Sequence, residues 1–231
     1  MIFKPFLVAE MSGAMGGVVA SHNSGGQYLR SRVVPTDPQT ANQVLVRNTV
    51  GTLANRWAST LTEVQRGKWL SYANAVLLPN RLGDSRRVSP LAHYIRSNTP
   101  RVQSGAPIVD DGPGLLNLGD FDATAAGISA DGTTGDVDLF FSNTDSWATT
   151  TGGFLLLYLS RPKSPTVNFF KGPYNYVNRV TGNTATPPTS PSAGIAVPWP
   201  ISTGQKLFYQ LRATASDGRL SFVSRGSTIV T

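Results

Sequence analysis

Apolar residues follow two different periods along this chain, a helical period between residues 38 and 98 and a period of two after residue 117. Four apolar side chains are spaced by four, three and four positions: Val46, Val50, Leu53 and Trp57. This spacing predicts a helix over residues 38–59, because such positions lie on one helix face. Asp37 and Pro38 are residue types that favour the N-cap and the first turn of this helix.

A second helix is predicted from Thr62-Glu63-Val64-Gln65, which has the sequence of a capping box. Its apolar side is expected to consist of Val64, Trp69, Tyr72, Ala73 and Val76, where the helix ends. Ser89 and Pro90 repeat the pattern of an N-cap followed by a first-turn proline, so a third short helix is predicted to about Asn98. Together these signals define a helical segment, residues 37–104.

After a Gly- and Pro-rich stretch, the period of two predicts short strands. Seven candidate strands lie at 121–128, 136–141, 154–160, 167–170, 174–177, 206–213 and 220–223. Asp217-Gly218, between the last two, is a hairpin signal. About seven short strands are typical of an immunoglobulin- or fibronectin-like sandwich, which we predict for residues 117–231, with 105–116 as a linker. The expected fold class is α+β overall: an extended arm and a short helical segment, followed by an all-β sandwich.

Residues 1–36 have the composition of an extended, basic arm, in which glycines alternate with small and β-branched residues. The stretch 22–26 has the composition of a turn between two short strands. A hairpin of this size is marginal in water, so it must pack on the rest of the chain or on a neighbouring molecule. We predict that it makes assembly contacts through Tyr28 as an anchor, with Arg30 and Arg32 paired to acidic groups of the neighbour.

The predicted sandwich and the N-terminal part, residues 1–105, differ in the size of the core that each can form. The sandwich is as large as an ordinary domain, so we expect it to fold alone. Residues 1–105 have few large apolar side chains and are expected to become ordered only on a partner.

The net charge also differs between the N-terminal part and the rest of the chain. The net charge of +7 consists of +8 over residues 1–105 and −1 over residues 106–231. Only 14% of the residues are charged, which leaves much neutral surface that is easily desolvated in a protein contact. The basic half indicates an acidic partner, either protein carboxylates or nucleic acid. No signal peptide is visible and no apolar run is long enough to span a bilayer, so no membrane partner is expected.

The chain offers little catalytic chemistry. It has no cysteine, which excludes disulfides, thiol catalysis and Cys-ligated zinc. Its two histidines, His22 and His93, lie in no nucleophile, zinc or phosphate-binding motif, so we predict no enzymatic activity, no catalytic or metal-ligating residue and no cofactor. Without a complete EF-hand loop, alternating carboxylates are interpreted as solvated strand faces. These carboxylates are Asp120, Asp122, Asp136 and Asp138.

Several segments together resemble known proteins. They are Met11–Arg30 with its Gly-Gly-Val-Val-Ala-Ser-His-Asn run, Pro35–Arg47, Trp57–Ala73, Tyr94–Asn98, Leu157–Pro162 and Ser164–Pro173. The series resembles uncharacterised bacteriophage and prophage proteins with a Gly-rich N-terminal arm, short helices and a C-terminal immunoglobulin-like domain. The resemblance implies a virion structural protein, on the head surface or at another repeated position of the capsid lattice. Its implied partners are other virion proteins and copies of itself in an oligomer.

Two alternatives remain open. The first is a nucleic-acid-binding protein of the particle interior, which would use the arginines of the basic half. The second is a carbohydrate-binding adhesin module, in which Trp147 or Trp199 would stack on a sugar ring.

Overall fold

A computed structural model describes residues 11–23, 26–34, 36–79 and 84–231, and divides the chain into two compact units, Met1–Ala41 and Asn42–Thr231. Over these residues the protein has three helices and several antiparallel sheets, so the mixed α+β class predicted from the sequence is confirmed. The part of the predicted arm before Met11 lies outside the described residues.

The N-terminal unit contains an antiparallel sheet with the order β1 (Gly13–Met15), β2 (Val18–Asn23) and β3 (Gly26–Ser31). The predicted pair of strands is therefore confirmed, and β1 is an addition to it. Gly16 has a φ of +58°, a conformation that glycine adopts without strain, and it forms the turn from β1 to β2.

Three helices follow: α1 (Ala41–Ser59), α2 (Glu63–Ala75) and α3 (Pro90–Gln103). The capping box of Thr62 with Gln65 is present at α2, and Ser89 caps α3. α1 begins later than predicted because the carboxylate of Asp37 accepts a hydrogen bond from the Gln39 N–H at 3.2 Å, which forms a turn before the helix.

α3 continues past its predicted end at Asn98, because tertiary hydrogen bonds hold its last turns. The Asn98 amide donates to the carbonyl of Val109 at 3.0 Å, and the Arg101 Nε donates to the carbonyl of Pro107 at 2.8 Å. Between α2 and α3, β4 (Leu78–Pro79) and β5 (Ser85–Arg86) form a two-stranded sheet.

The remaining strands form two antiparallel sheets. They are β6 (Gly127–Asp131), β7 (Asp136–Phe140), β8 (Phe154–Leu159), β9 (Asn175–Thr181), β10 (Ile195–Ala196), β11 (Lys206–Thr214) and β12 (Ser224–Ile229). One sheet has the order β10-β7-β6 and the other has the order β12-β11-β8-β9. Buried side chains of both sheets form one shared hydrophobic core.

β8 explains the longest apolar run of the sequence. Leu155, Leu157 and Leu159 point into the core that the two sheets share. Phe154 and Leu156 point to the opposite face, where they pack with Ala106. The strand is apolar throughout because protein covers both of its faces.

The strand predicted at 167–170 is wrong, because that stretch forms a loop in which Phe170 stacks on Phe208 at 5.4 Å between ring centroids. The stretch 220–223 contributes only an isolated bridge, and the last strand is the polar β12. β6 begins near the end of the predicted 121–128 strand, since Asp122 forms a turn by accepting from the Thr124 N–H at 2.9 Å.

Candidate functional site

The N-terminal sheet has no buried apolar side chain among its described residues. Alternation along the strands places Val19, Tyr28 and Arg30 on one face, and Met15 and Val18 on the other. Met15 and Val18 are exposed. Apolar groups on both faces of a small sheet would normally be covered, so the unit presents a surface suited to another molecule.

The predicted contact residues fall in this sheet. Tyr28 is half-buried, whereas Arg30 and Arg32 are exposed. Arg32 follows β3, and its backbone N–H donates to the carbonyl of Gly17 at 2.8 Å. In the described part of the chain, β3 and β1 pair only with β2, so each keeps an outer edge that could pair with a further strand.

A second exposed surface lies on the first half of α1. Its apolar residues Val44, Leu45, Val46 and Val50 are all exposed, and Leu53 is the first that is fully buried. The face predicted from residues 46–57 is therefore covered only in its second half. Exposed valines and leucines at successive turns of a helix are typical of a surface that meets another chain.

Asp110 anchors the second half of α1. Its carboxylate accepts from the Arg56 Nε at 2.7 Å and from the Tyr94 hydroxyl at 2.9 Å, while its carbonyl accepts from the Trp69 indole at 2.8 Å. The hydrogen bond from Arg56 is the main reason that the pKa of Asp110 lies below its usual range. One residue therefore ties α1, α2 and α3 together.

Residues 105–116, predicted to be a linker, also contact α2. A Cβ atom on Gly112 would lie 2.6 Å from backbone atoms of Lys68 and Trp69, so only glycine fits this approach. Nearby, the Arg101 guanidinium of α3 donates to the Ala215 carbonyl at 3.1 Å, which joins the helical segment to the β-strands. These contacts leave no local sign in the sequence, because the partners are far apart in the chain.

The two histidines and the two candidate adhesin tryptophans have the following surroundings. His22 lies on β2 and is exposed, while His93 is fully buried on α3. Trp147 is buried in the core of the two sheets, where no sugar ring reaches it, and Trp199 packs partly buried against the same core. Within the described residues, no three His, Cys, Asp or Glu side chains are grouped to hold a metal ion.

Two of the four carboxylates predicted to alternate along strands lie on a strand, and two do not. Asp136 and Asp138 alternate with the buried Val137 and Leu139 along β7, as predicted for a partly solvated strand face. Asp120 and Asp122 precede β6 and are exposed, so they do not lie on a strand.

No protein-family model, curated protein or solved structure matches this chain. Among the described helices, none has the length and apolar character needed to cross a bilayer.

His93 predicts a pH dependence of stability. Burial, and then the neighbouring Arg96, lower its pKa, and its ring packs edge-on against Tyr72 at 5.3 Å. The unfolded chain takes up a proton below about pH 6.5, whereas the folded chain does so only at lower pH, so the free energy of unfolding falls as pH drops through this window.

We expect urea midpoints to decrease between about pH 7 and about pH 5.5, and His93→Gln to flatten this slope. His22→Gln, at an exposed histidine, is the matched control and should keep the slope. An unchanged slope in His93→Gln would assign the effect to other groups.

Proposed function

We propose that this protein is a bacteriophage virion structural protein that occupies a repeated position of the capsid lattice, such as the head surface. The observation that carries the proposal is the N-terminal sheet, which has strands but no buried apolar side chain over its described residues. Such a sheet gains a core when it docks on another subunit. The placement in a virion rests on the resemblance to bacteriophage proteins.

The outer edge of β3 or β1 would add to a sheet of the neighbouring subunit. Main-chain hydrogen bonds supply affinity in this mode, and alternate side chains supply specificity. Tyr28 and Arg30 share one face, as an anchor and a partner for carboxylates require. Arg32 extends the positive charge beyond the strand.

The two sheets of the second unit would form the rigid body. We assign them to a fibronectin-like sandwich, because the first, second and fifth of the seven strands form one sheet and the others form the second. A constant-type immunoglobulin domain would place the fourth strand with the first, second and fifth. The fold alone does not specify a function, so we infer assembly from the N-terminal sheet and not from the sandwich.

The test compares the full chain with Tyr28→Ala. We expect this change to weaken incorporation of a tagged copy into particles, and self-association in sedimentation velocity, by about 30-fold, the effect of removing an anchor residue from an interface. His22→Ala, on the opposite face of the sheet, is the control and should assemble nearly as the unchanged protein does.

Deletion of residues 1–36 should abolish incorporation and leave a folded second unit. Normal incorporation of the deletion variant would refute docking through the sheet. Absence of the full chain from purified particles would refute the virion assignment.

A further inference from the structure

Three adjoining depressions form a continuous groove on the outer face of the β12-β11-β8-β9 sheet, beside α3. Arg96 and Arg212 each line two of them, as do Arg225, Lys171 and Tyr174. We call this feature, defined by those five residues, the cationic groove. It lies wholly within the second unit and includes no residue of the N-terminal sheet.

The arginines reach this groove from three elements. Arg212 lies on β11 opposite the core-facing Leu211, and Arg225 is on the neighbouring strand β12. Arg96 extends from α3 and donates to the carbonyls of Leu220 and Ser221 at 3.2 and 3.1 Å. Positive charges from distant parts of the chain therefore converge on one surface.

No carboxylate neutralises these charges within the described lining of the groove. Burial and the adjacent Arg212 lower the pKa of Arg96 to about 10. Cations that converge on one surface without a carboxylate among them favour a bound anion, because its charge offsets the repulsion between Arg96 and Arg212.

Exposed aromatic rings lie at two places along the groove. Phe169 is 79% exposed in the depression that contains Lys171 and Arg225. Phe222 is 56% exposed in the depression that contains Arg96 and Arg212. Aromatic rings beside cations are the arrangement on which bases of a single strand stack while its phosphates meet the charges.

We propose that the cationic groove binds single-stranded nucleic acid, with phosphates at Arg96, Arg212 and Arg225 and bases on Phe169 and Phe222. An acidic peptide would pair with the arginines but would leave the two phenylalanine rings without a planar partner. This activity is separate from assembly through the N-terminal sheet, and it uses arginines of the near-neutral half as well as of the basic half.

The test is fluorescence anisotropy of a labelled oligothymidylate of about 16 nucleotides with the full chain. We expect Arg212→Gln to weaken binding about tenfold and to reduce the salt slope by about one. Phe169→Ala should also weaken binding about tenfold, with the salt slope unchanged. The charge-matched control Arg161→Gln and the aromatic control Phe140→Ala lie outside the groove lining and should bind normally.

Three outcomes would overturn the proposal. The first is no binding at low salt. The second is equal competition by polyglutamate, which would identify an acidic protein as the ligand. The third is loss of binding in Arg30→Gln with Arg32→Gln while Arg212→Gln binds normally. Circular dichroism of each variant checks that it is folded. The particle-incorporation assay with Tyr28→Ala tests the N-terminal sheet separately, so a failure of nucleic-acid binding is distinguished from a failure of assembly.

Discussion

Replacing Trp69 with alanine is expected to lower the free energy of unfolding by about 3–5 kcal/mol. The side chain is fully buried and contacts Tyr72 and Tyr94 edge-on, at 5.9 and 5.6 Å between ring centroids. Its indole N–H also donates to the Asp110 carbonyl at 2.8 Å. Alanine would leave a cavity in the small helical core and an unpaired carbonyl beside it.

Two further variants separate these contributions. Trp69→Phe keeps a ring but loses the N–H, so we expect a smaller loss that includes about 1–3 kcal/mol for the unpaired Asp110 carbonyl. Val64→Ala, on the same helix, removes a side chain that is 71% exposed and should change stability by less than about 0.5 kcal/mol. Urea unfolding followed by far-ultraviolet circular dichroism gives the free energies. A loss below about 1 kcal/mol for Trp69→Ala would show that this core contributes little.

The helices were predictable because their signals are local. The Thr62 side chain accepts from the Gln65 N–H and the Ser89 side chain accepts from the Ala92 N–H, so both caps satisfy backbone groups without help from distant residues. The predicted start of α1 at Pro38 was wrong because the Asp37 carboxylate accepts from the Gln39 N–H and forms a turn instead of an N-cap. A side-chain carboxylate that binds a backbone N–H two residues later in this way leaves no periodic signal in the sequence.

The strands were predictable only where burial repeats along them. β8 and β11 carry long apolar patterns, and both were found. β10 has two residues, and β12 is a polar strand that pairs only with β11 among the described strands, so neither has a strong apolar pattern. The stretch 167–170 has a strand-like composition, but its aromatic residues pack as a loop on Phe208.

The cationic groove could not be predicted from the sequence, because its arginines are far apart in the chain. Arg96 stands more than a hundred positions before Arg212 and Arg225. The sequence grouped Arg96 with the other basic residues of the first half, and the later two belong to a half with a net charge of −1. The pairing of β11 with β12 places Arg212 near Arg225, and the hydrogen bonds of Arg96 to the Leu220 and Ser221 carbonyls bring α3 to the same surface.

Arg101→Met is expected to lower the free energy of unfolding by about 2–4 kcal/mol. Arg101 is 2% exposed and donates to the carbonyls of Pro107 and Ala215 at 2.8 and 3.1 Å. Its guanidinium also lies 5.2 Å from the centre of the Phe154 ring. Methionine keeps the apolar stem, so the loss measures the guanidinium hydrogen bonds and the buried carbonyls that they satisfy.

The same variant tests whether the helical segment and the sandwich are independent. Arg96 and Arg101 both bind carbonyls of residues 215–221, so we expect residues 42–231 to unfold in one transition despite the predicted linker. In amide exchange, Arg101→Met should reduce protection in α2 and β8 together, while the exposed control Arg87→Met changes neither. Full protection in β8 with loss confined to α2 would show instead that the sandwich folds alone, as its size predicts, and that Arg101 stabilises only the helices.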